Sequence, residues 1–223
     1  MRGGALMGMQ VVVFDLDGTL LDSLTDIADA ANAVLLRQGC AAHPVSAYRA
    51  FIGNGVKILF ERALPHDQQD ASIVEKCVRD FAEAYRQCEG QHTTVFAGIP
   101  ELLTALADLP VKTAVLSNKP HALAVPCVEE FLSQWPFDLI LGQRDHVPPK
   151  PDPSGALEIL QATGAVASNS LYLGDTAVDM QTASAAGMVA VGVSWGFRPP
   201  EELVEGGAQH VINHPTEMLS LLT

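Results

Sequence analysis

Basic and aromatic residues are both scarce in this chain of 223 residues. Lysine and arginine together number 13 against 26 aspartates and glutamates, and the net charge is −13 at pH 7. An acidic surface repels phosphate backbones and anionic lipid headgroups, which argues against nucleic acid and membranes as partners. An anionic small molecule would have to be attracted locally, by a metal ion and a few well-placed cations.

Cysteine is also rare. Two disulfides are possible in principle, but the four cysteines show no C-x-x-C spacing, and reduced thiols in a cytoplasmic protein are expected. The cysteines are Cys40, Cys77, Cys88 and Cys127.

Long hydrophobic runs are missing too. No apolar run approaches the roughly 20 residues that span a membrane. Residues 1–10 lack the apolar core of a secretion signal, and we expect them to form a short loose segment. Hydrophobic residues still make up 48% of the chain, enough for one large domain or a domain with a substantial insert. Both a monomer and a homodimer remain open.

Two carboxylates follow the first hydrophobic run of the chain. The run Val11-Val12-Val13-Phe14 predicts a buried strand, and Asp15 and Asp17 come directly after it. Strand side chains alternate, so two residues spaced i and i+2 leave the sheet on the same side. Such close charges favour a hard dication, most simply Mg²⁺, and a carboxylate beside it can attack phosphorus. The alternative is that both aspartates cap the next helix.

A second pair of carboxylates follows the strand expected at residues 171–173. Asp175 stands at the strand end, and Asp179 lies one helical turn further on the same face. This pair can supply one metal ligand and one acceptor that orients metal-bound water. Capping by Asp175 with a solvated Asp179 is the alternative.

Two further groups stand at expected strand ends. Ser117, Asn118 and Lys119 end the strand expected over residues 111–116, and hydroxyl and amide donors there can hold phosphoryl oxygens. Lys150 is fixed between prolines, which leaves it little conformational freedom to lose. Its ammonium suits a phosphoryl group in transfer.

Strands and helices alternate from about residue 95 to the end, which predicts an α/β fold with a Rossmann-like parallel sheet covered on both faces. Residues 22–94 show helical periodicity without a strand signal, so an all-helical block is inserted after the first strand. The expected domains are therefore 1–21 with 95–223, and 22–94. A helix is expected over residues 120–132, which Pro126 must bend or begin.

Four motifs occur in a fixed order, each after an expected strand: D-x-D-G-T-L at 15–20, S-N-K at 117–119, K-P-x-P at 150–153 and G-D-T-x-x-D at 174–179. They resemble the motifs of the haloacid dehalogenase superfamily. The resemblance implies a core domain with an inserted helical cap and a Mg²⁺-dependent phosphatase. The resemblance also argues against a dehalogenase, because Asp17 stands where the phosphatases of this superfamily have the aspartate that protonates the leaving group.

The same resemblance implies a role for each motif residue. Asp15 is the expected nucleophile, which forms an aspartyl phosphate, and Asp17 is the expected acid for the leaving group. The phosphoryl group is expected to be bound by Ser117, Asn118 and Lys150, and Mg²⁺ by Asp15, Asp17 and Asp175, with Asp179 in support.

The cap is expected to select the substrate, a small phosphorylated metabolite. The segment I-G-N-G-V at 52–56, continuing to R-A-L at 62–64, resembles the cap of phosphoglycolate phosphatases. This resemblance implies 2-phosphoglycolate as substrate, with Gly53, Asn54 and Gly55 facing Asp15. Arg198 departs from the family pattern and can select another head group.

Other functions remain open. Lys57 could form a Schiff base, as a cap lysine does in the phosphonoacetaldehyde hydrolases of this superfamily. A different phosphatase or a phosphomutase of the superfamily is another reading, and a binding protein without catalysis is the reading from another class. Arg144 fits a contact to cap or substrate and a surface ion pair equally well.

Overall fold

The computed structural model describes residues 8–222, and its centre is a parallel sheet of six strands. The strands of this part of the chain are β1 Val11–Phe14, β2 Leu21–Asp22, β3 Thr94–Val95, β4 Lys112–Pro120, β5 Leu139–Gln143, β6 Ser170–Gly174, β7 Val189–Val193 and β8 His210–Ile212. The order across the sheet is β5-β4-β1-β6-β7-β8, with β2 and β3 outside it. The predicted parallel α/β sheet is confirmed.

Helices cover both faces of the sheet and form a separate block. The α-helices are α1 Leu24–Arg37, α2 Val45–Phe51, α3 Val56–Ala63, α4 Ala71–Cys88, α5 Ile99–Ala107, α6 His121–Leu132, α7 Ser154–Thr163, α8 Ala177–Ala186 and α9 Pro200–Glu205. Short 3₁₀ turns occupy His66–Gln68, Ala167–Asn169 and Pro215–Leu221. None of the helices in residues 8–222 is both long and apolar enough to cross a membrane.

Strand β1 shows why the chain begins its sheet here. All four of its side chains are fully buried. Val12 and Phe14 pack with residues of α5 and α6 on one face, whereas Val11 and Val13 pack with residues of α7 and α8 on the other. Burying each such side chain contributes roughly 1.5–3 kcal/mol. A continuous apolar run is therefore what a central parallel strand requires.

Helices α1–α4 share a hydrophobic cluster, to which Leu123 of α6 and Phe197 also belong. This helical block follows β1, as the sequence predicted. Its two ends lie side by side, because β2 pairs antiparallel with β3, a pairing of two residues each that the hydrophobic pattern did not indicate.

Asp26 fastens the two ends of the helical block together. The carboxylate is fully buried and accepts hydrogen bonds from the backbone N–H groups of Gly90, His92 and Thr93, at 3.0–3.1 Å. The Thr93 hydroxyl donates a fourth, at 2.6 Å. Every one of these bonds joins α1 to the segment after α4. The Asp26 side chain therefore holds the end of the helical block next to its beginning.

Some local expectations were wrong. Pro126 does not begin α6 but lies inside it, which leaves the bend as the remaining prediction. Strand β4 runs on through residues 117–120, which were expected to follow it. Helix α9 was not predicted from the sequence. The loose segment expected over residues 1–10 lies mostly outside the described residues, although Gln10 donates to the Asn169 carbonyl at 2.7 Å.

All four cysteines are free thiols, as the spacing predicted.

Candidate active site

The motif residues meet at the carboxyl edge of the sheet. Strand β1 lies between β4 and β6, so the residues that follow these neighbouring strands come together. The N–H of Asp15 continues the ladder by donating to the Leu173 carbonyl of β6 at 2.9 Å. Asp15, Ser117 and Asp175 are each at most 6% exposed, although all three are polar. Buried polar groups of this kind require partners, and these partners define the site.

Three carboxylates form the most negative part of the site. Asp15, Asp175 and Asp179 each offer an oxygen within 4.8 Å of the others. Burial raises the pKa of Asp15 to about 7, and burial together with the charges of Asp179 and Asp15 raises the pKa of Asp175 well above its ordinary value. Both shifts have the same physical cause: this cluster holds more negative charge than its surroundings can solvate.

The donors of this cluster fit a divalent cation. Asp175 Oδ2 accepts a 2.7 Å hydrogen bond from the N–H of Phe197, but its Oδ1 is buried without a hydrogen-bond partner among the described residues. A hard cation that prefers oxygen ligands would bind this unpaired oxygen of Asp175 together with the nearby carboxylate of Asp15. Asp15 and Asp175 are therefore the side chains that fit Mg²⁺.

Asp179 supports this cluster instead of completing it. One of its oxygens accepts from the Lys150 ammonium at 2.6 Å. The other accepts from the N–H and the hydroxyl of Thr176, which forms the capping box of α8. Both oxygens are thus engaged, which agrees with the supporting position predicted from the sequence.

Lys150 neutralises part of the cluster. Its ammonium lies 2.9 Å from Asp15 and 2.6 Å from Asp179, and donates to the Leu116 carbonyl at 3.1 Å. Burial lowers the pKa of Lys150, but the charges of Asp15 and Asp179 outweigh burial and raise it well above the usual value. The lysine therefore stays charged beside the expected nucleophile.

Asn118 requires a correction, since it was predicted to bind phosphate. Its Oδ1 accepts from the N–H of Lys150 at 2.9 Å, and its Nδ2 donates to the Lys150 and Gly53 carbonyls at 3.0 and 3.1 Å. Both donors of the side-chain amide are used. Asn118 thus positions Lys150 and ties the loop before α3 to the sheet, and leaves no side-chain donor for phosphate.

The Ser117 hydroxyl keeps a donor free. Its Oγ accepts from the N–H of Lys119 at 3.2 Å, and no acceptor for its proton occurs within residues 8–222. The side chain lines the central cavity, as a phosphoryl-binding hydroxyl would.

Asp17 lies apart from the three-carboxylate cluster. Its side chain accepts from the Ser23 hydroxyl at 2.6 Å and from the Lys119 ammonium at 3.0 Å. Its side chain is therefore not part of that cluster, and the prediction that Asp17 ligates Mg²⁺ concerns its backbone carbonyl. The position suits a group that exchanges protons with a ligand in the cavity, which Asp17 also lines.

Lys119 was placed in the S-N-K motif by the sequence, but its role was not predicted. Its ammonium donates to the Tyr85 hydroxyl at 2.7 Å and lies 4.1 Å from the centre of the Tyr85 ring. Burial lowers its pKa, but the charge of Asp17 and the contacts with Tyr85 and Cys127 together outweigh burial and raise it. Lys119 therefore links Asp17 of the sheet edge to α4 of the helical block.

A cavity of about 60 Å³ opens between the sheet edge and the helical block. Its polar lining consists of Asp15, Asp17, Ser117, Asn118, Lys119 and Thr176. Its roof is largely apolar and consists of Ile27, Ile52, Gly53, Gly55, Val56, Leu59 and Phe81, with Phe197 at the side. A water needs about 10–15 Å³ by this measure, so the cavity has room for a few waters or a small molecule.

Two residues predicted for the cap side of the cavity lie elsewhere. Gly53 and Gly55 line the cavity as expected, but Asn54 does not: its Oδ1 accepts from Arg62 at 3.0 Å. Lys57 is 69% exposed and pairs with Glu61 at 3.7 Å. An exposed ammonium outside the cavity gives the Schiff-base reading no support.

The two arginines without a settled role have different partners. Arg144 forms a two-pronged ion pair with Glu158 on α7, at 2.5 and 2.9 Å, so it is a surface pair. Arg198 donates to the Ala50 and Ile52 carbonyls at the end of α2, at 3.3 and 3.1 Å. Arg198 therefore connects the loop after β7 to the helical block.

Comparison with known proteins agrees with this geometry. The model of the haloacid dehalogenase-like hydrolase family matches residues 12–193. A phosphoglycolate phosphatase of Pseudomonas syringae pv. syringae is 34% identical over 208 residues, 92% of this chain and 76% of that protein. One of Chromobacterium violaceum is 32% identical over 220 residues, 97% of this chain and 98% of that protein.

A solved structure from Lactobacillus delbrueckii subsp. bulgaricus, provisionally assigned as a phosphoglycolate phosphatase, has a TM-score of 0.87 at 26% identity. That match covers 96% of this chain and 99% of the other. The motif resemblance and the fold are thus confirmed. The chain belongs to the haloacid dehalogenase-like hydrolase family, as a phosphoric monoester hydrolase of its phosphoglycolate phosphatase-like group.

Proposed function

We propose that this protein is a Mg²⁺-dependent phosphatase that hydrolyses 2-phosphoglycolate to glycolate and phosphate through an aspartyl phosphate on Asp15. One observation carries the proposal: a buried nucleophilic carboxylate faces a small cavity, with a lysine ammonium and an orphaned carboxylate oxygen beside it. Mg²⁺, when bound, would offset the charge of the carboxylates and of the phosphoryl group.

In the first half of the reaction an Asp15 oxygen forms a bond to phosphorus as the bond to the leaving oxygen breaks. Asp17 gives its proton to that oxygen. The Ser117 hydroxyl holds an oxygen of the group in transfer, and the Lys150 ammonium beside Asp15 offsets its negative charge. In the second half, Asp17 takes a proton from a water that attacks phosphorus, and the Asp15 carboxylate is released.

We propose residues 22–94 as a cap domain and residues 1–21 with 95–223 as the core. The hydrophobic cluster formed mainly by α1–α4 supports this division, with Leu123 and Phe197 of the core packed against it. The cap supplies the apolar roof of the cavity, which would exclude water from the reacting group. Free cysteines agree with the cytoplasm as the location.

The substrate follows from the size of the cavity and from the relatives. A cavity of about 60 Å³ favours a short leaving group over a sugar or a nucleoside. The relatives named phosphoglycolate phosphatase support glycolate as that leaving group.

The test is a comparison of kcat/KM across phosphate esters with Mg²⁺ present. 2-Phosphoglycolate is expected to rank above glycerol phosphate, a sugar phosphate, a nucleotide and p-nitrophenyl phosphate. If it ranks no higher than these esters, the substrate assignment is wrong, although the phosphatase class stands.

A further inference from the structure

The cavity holds one cation that phosphoryl transfer does not require. Of its lining residues in the described part of the chain, Lys119 alone carries a positive charge. Lys150 has all its donors engaged below the cavity, and Arg198 is bound to carbonyls of α2. A charged side chain is costly to bury unless it is paired, and the charge of Lys119 is paired with that of Asp17.

The partners of Lys119 leave it able to bind a ligand. A lysine ammonium has three donors, and Lys119 has two partner groups: the Asp17 carboxylate, whose Oδ1 and Oδ2 lie at 3.0 and 3.4 Å and share one N–H, and the Tyr85 hydroxyl at 2.7 Å. One N–H remains for another acceptor. The side chain is only 5% exposed, so an anion bound there would be shielded from water.

The position of Lys119 relative to Asp17 fixes what it can reach. Asp17 must lie within hydrogen-bond distance of the leaving oxygen in order to protonate it. In 2-phosphoglycolate a single methylene group separates that oxygen from the carboxylate. When the leaving oxygen contacts Asp17, a carboxylate one methylene away from that oxygen lies near the Lys119 ammonium, because Asp17 contacts this ammonium at 3.0 Å.

We propose that Lys119 determines specificity by binding the carboxylate of the leaving group. This inference rests on the proposed function, and it adds the residue that recognises the part of the substrate that does not react. Tyr85 holds the ammonium from α4, so recognition is complete only with the helical block in place over the cavity.

The test compares two substrates of equal length in the holoenzyme with Mg²⁺: 2-phosphoglycolate and 2-hydroxyethyl phosphate, which has a neutral alcohol in place of the carboxylate. The readout is the ratio of their kcat/KM values. Any effect of Lys119 on Asp17 alters both substrates and cancels in this ratio, so a merely structural role would not move it.

In Lys119→Met the ratio should fall about 10- to 100-fold, the range for loss of a charged hydrogen bond, chiefly through a higher KM for 2-phosphoglycolate. Lys119→Arg keeps the charge and should retain more of the ratio. Lys76→Met is the matched control, because Lys76 is an exposed lysine of α4 paired with Asp80, and it should leave the ratio unchanged.

An unchanged ratio in Lys119→Met, where the wild type prefers the carboxylate, would overturn the inference and leave the proposed function intact. A wild-type ratio near one would contradict the proposed substrate and the inference together. Circular dichroism and thermal melting establish that each variant folds. If Lys119→Met does not fold, Lys119→Gln, which is neutral but can still hydrogen-bond to Tyr85, provides the same comparison.

Discussion

The backbone N–H of Phe197 donates a 2.7 Å hydrogen bond to Asp175 across 22 residues of sequence. The next residue, Arg198, donates to carbonyls at the end of α2. A single short loop therefore contacts both a carboxylate of the proposed metal site and the helical block. The position of the block and the geometry of Asp175 are mechanically connected through these two residues.

Arg198→Ala should loosen this connection. Two hydrogen bonds to α2 are lost, each contributing about 0.5–1.5 kcal/mol, so kcat/KM for 2-phosphoglycolate should fall by at most about 5- to 150-fold. Steady-state kinetics with the exposed Arg86→Ala as the control measures this effect. Equal activity in the two variants would show that the contact with α2 has no part in turnover.

Asp15→Asn should abolish turnover and preserve the fold. The amide keeps the shape of the side chain but cannot attack phosphorus. Phosphate release and thermal melting test the two halves of this expectation, with the exposed Asp22→Asn as the control. A beryllium fluoride adduct in the wild type should be located on Asp15. Appreciable activity in pure Asp15→Asn protein would refute its assignment as the nucleophile.

Asp17→Asn should discriminate between leaving groups. Alkyl esters need protonation of the leaving oxygen, and their kcat should fall about 10²- to 10⁴-fold, the usual contribution of general acid catalysis. Activated aryl phosphates leave without this help, so p-nitrophenyl phosphate should lose far less. The kcat of both substrates is measured in the variant. Equal losses would count against Asp17 as the acid.

Metal removal should abolish activity. EDTA is expected to inactivate the enzyme and Mg²⁺ to restore it, whereas Ca²⁺ should inhibit because its looser coordination suits in-line attack less well. Asp175→Asn, which weakens the orphaned oxygen as a ligand, should raise the Mg²⁺ concentration that gives half-maximal activity. Full activity in excess chelator would contradict the metal site.

Stability should depend on pH in the metal-free protein. Burial raises the pKa of Asp15 from 3.8 to about 7, so the folded state favours its neutral form. The stability that this preference contributes is complete below pH 4 and is lost as the pH rises through 7. The melting temperature in EDTA should therefore show a loss over this window. The gain in melting temperature on adding Mg²⁺ should grow over the same window, and a gain independent of pH would be inconsistent with it.

The site was largely predictable because each motif combines a strand end with a chemical group. Asp15, Ser117 and Asp175 each stand where an apolar run stops, and neighbouring parallel strands bring such ends to one edge. Lys150 could be predicted because the prolines around it restrict the backbone locally. These signals lie within a few residues of sequence and do not depend on distant partners.

The partners of Lys119 could not be predicted in this way, since Asp17 and Tyr85 are 102 and 34 residues away. The motif placed the lysine at a strand end, but nothing local showed what its ammonium would contact. For Asn118, the sequence could not show that the amide bonds to the Lys150 backbone, because an asparagine at a strand end suits either partner.

The loop before α3 shows a similar limit. Gly53 and Gly55 both adopt positive φ, at 105° and 86°, and the sequence correctly predicted a tight turn. The direction of the Asn54 side chain depends on Arg62, eight residues later, which accounts for the wrong placement.

Asp26 has a consequence for how this architecture can vary. Its four hydrogen bonds close the base of the helical block, so the entropy of bringing the two ends together is offset at that base, whatever lies between them. Residues 27–89 therefore form one long insertion whose two ends are held together next to the six-stranded sheet. Segments of other lengths and sequences can be grafted between these ends without altering the register of the strands that carry the chemistry, so new selectivity can be installed on an unchanged catalytic edge.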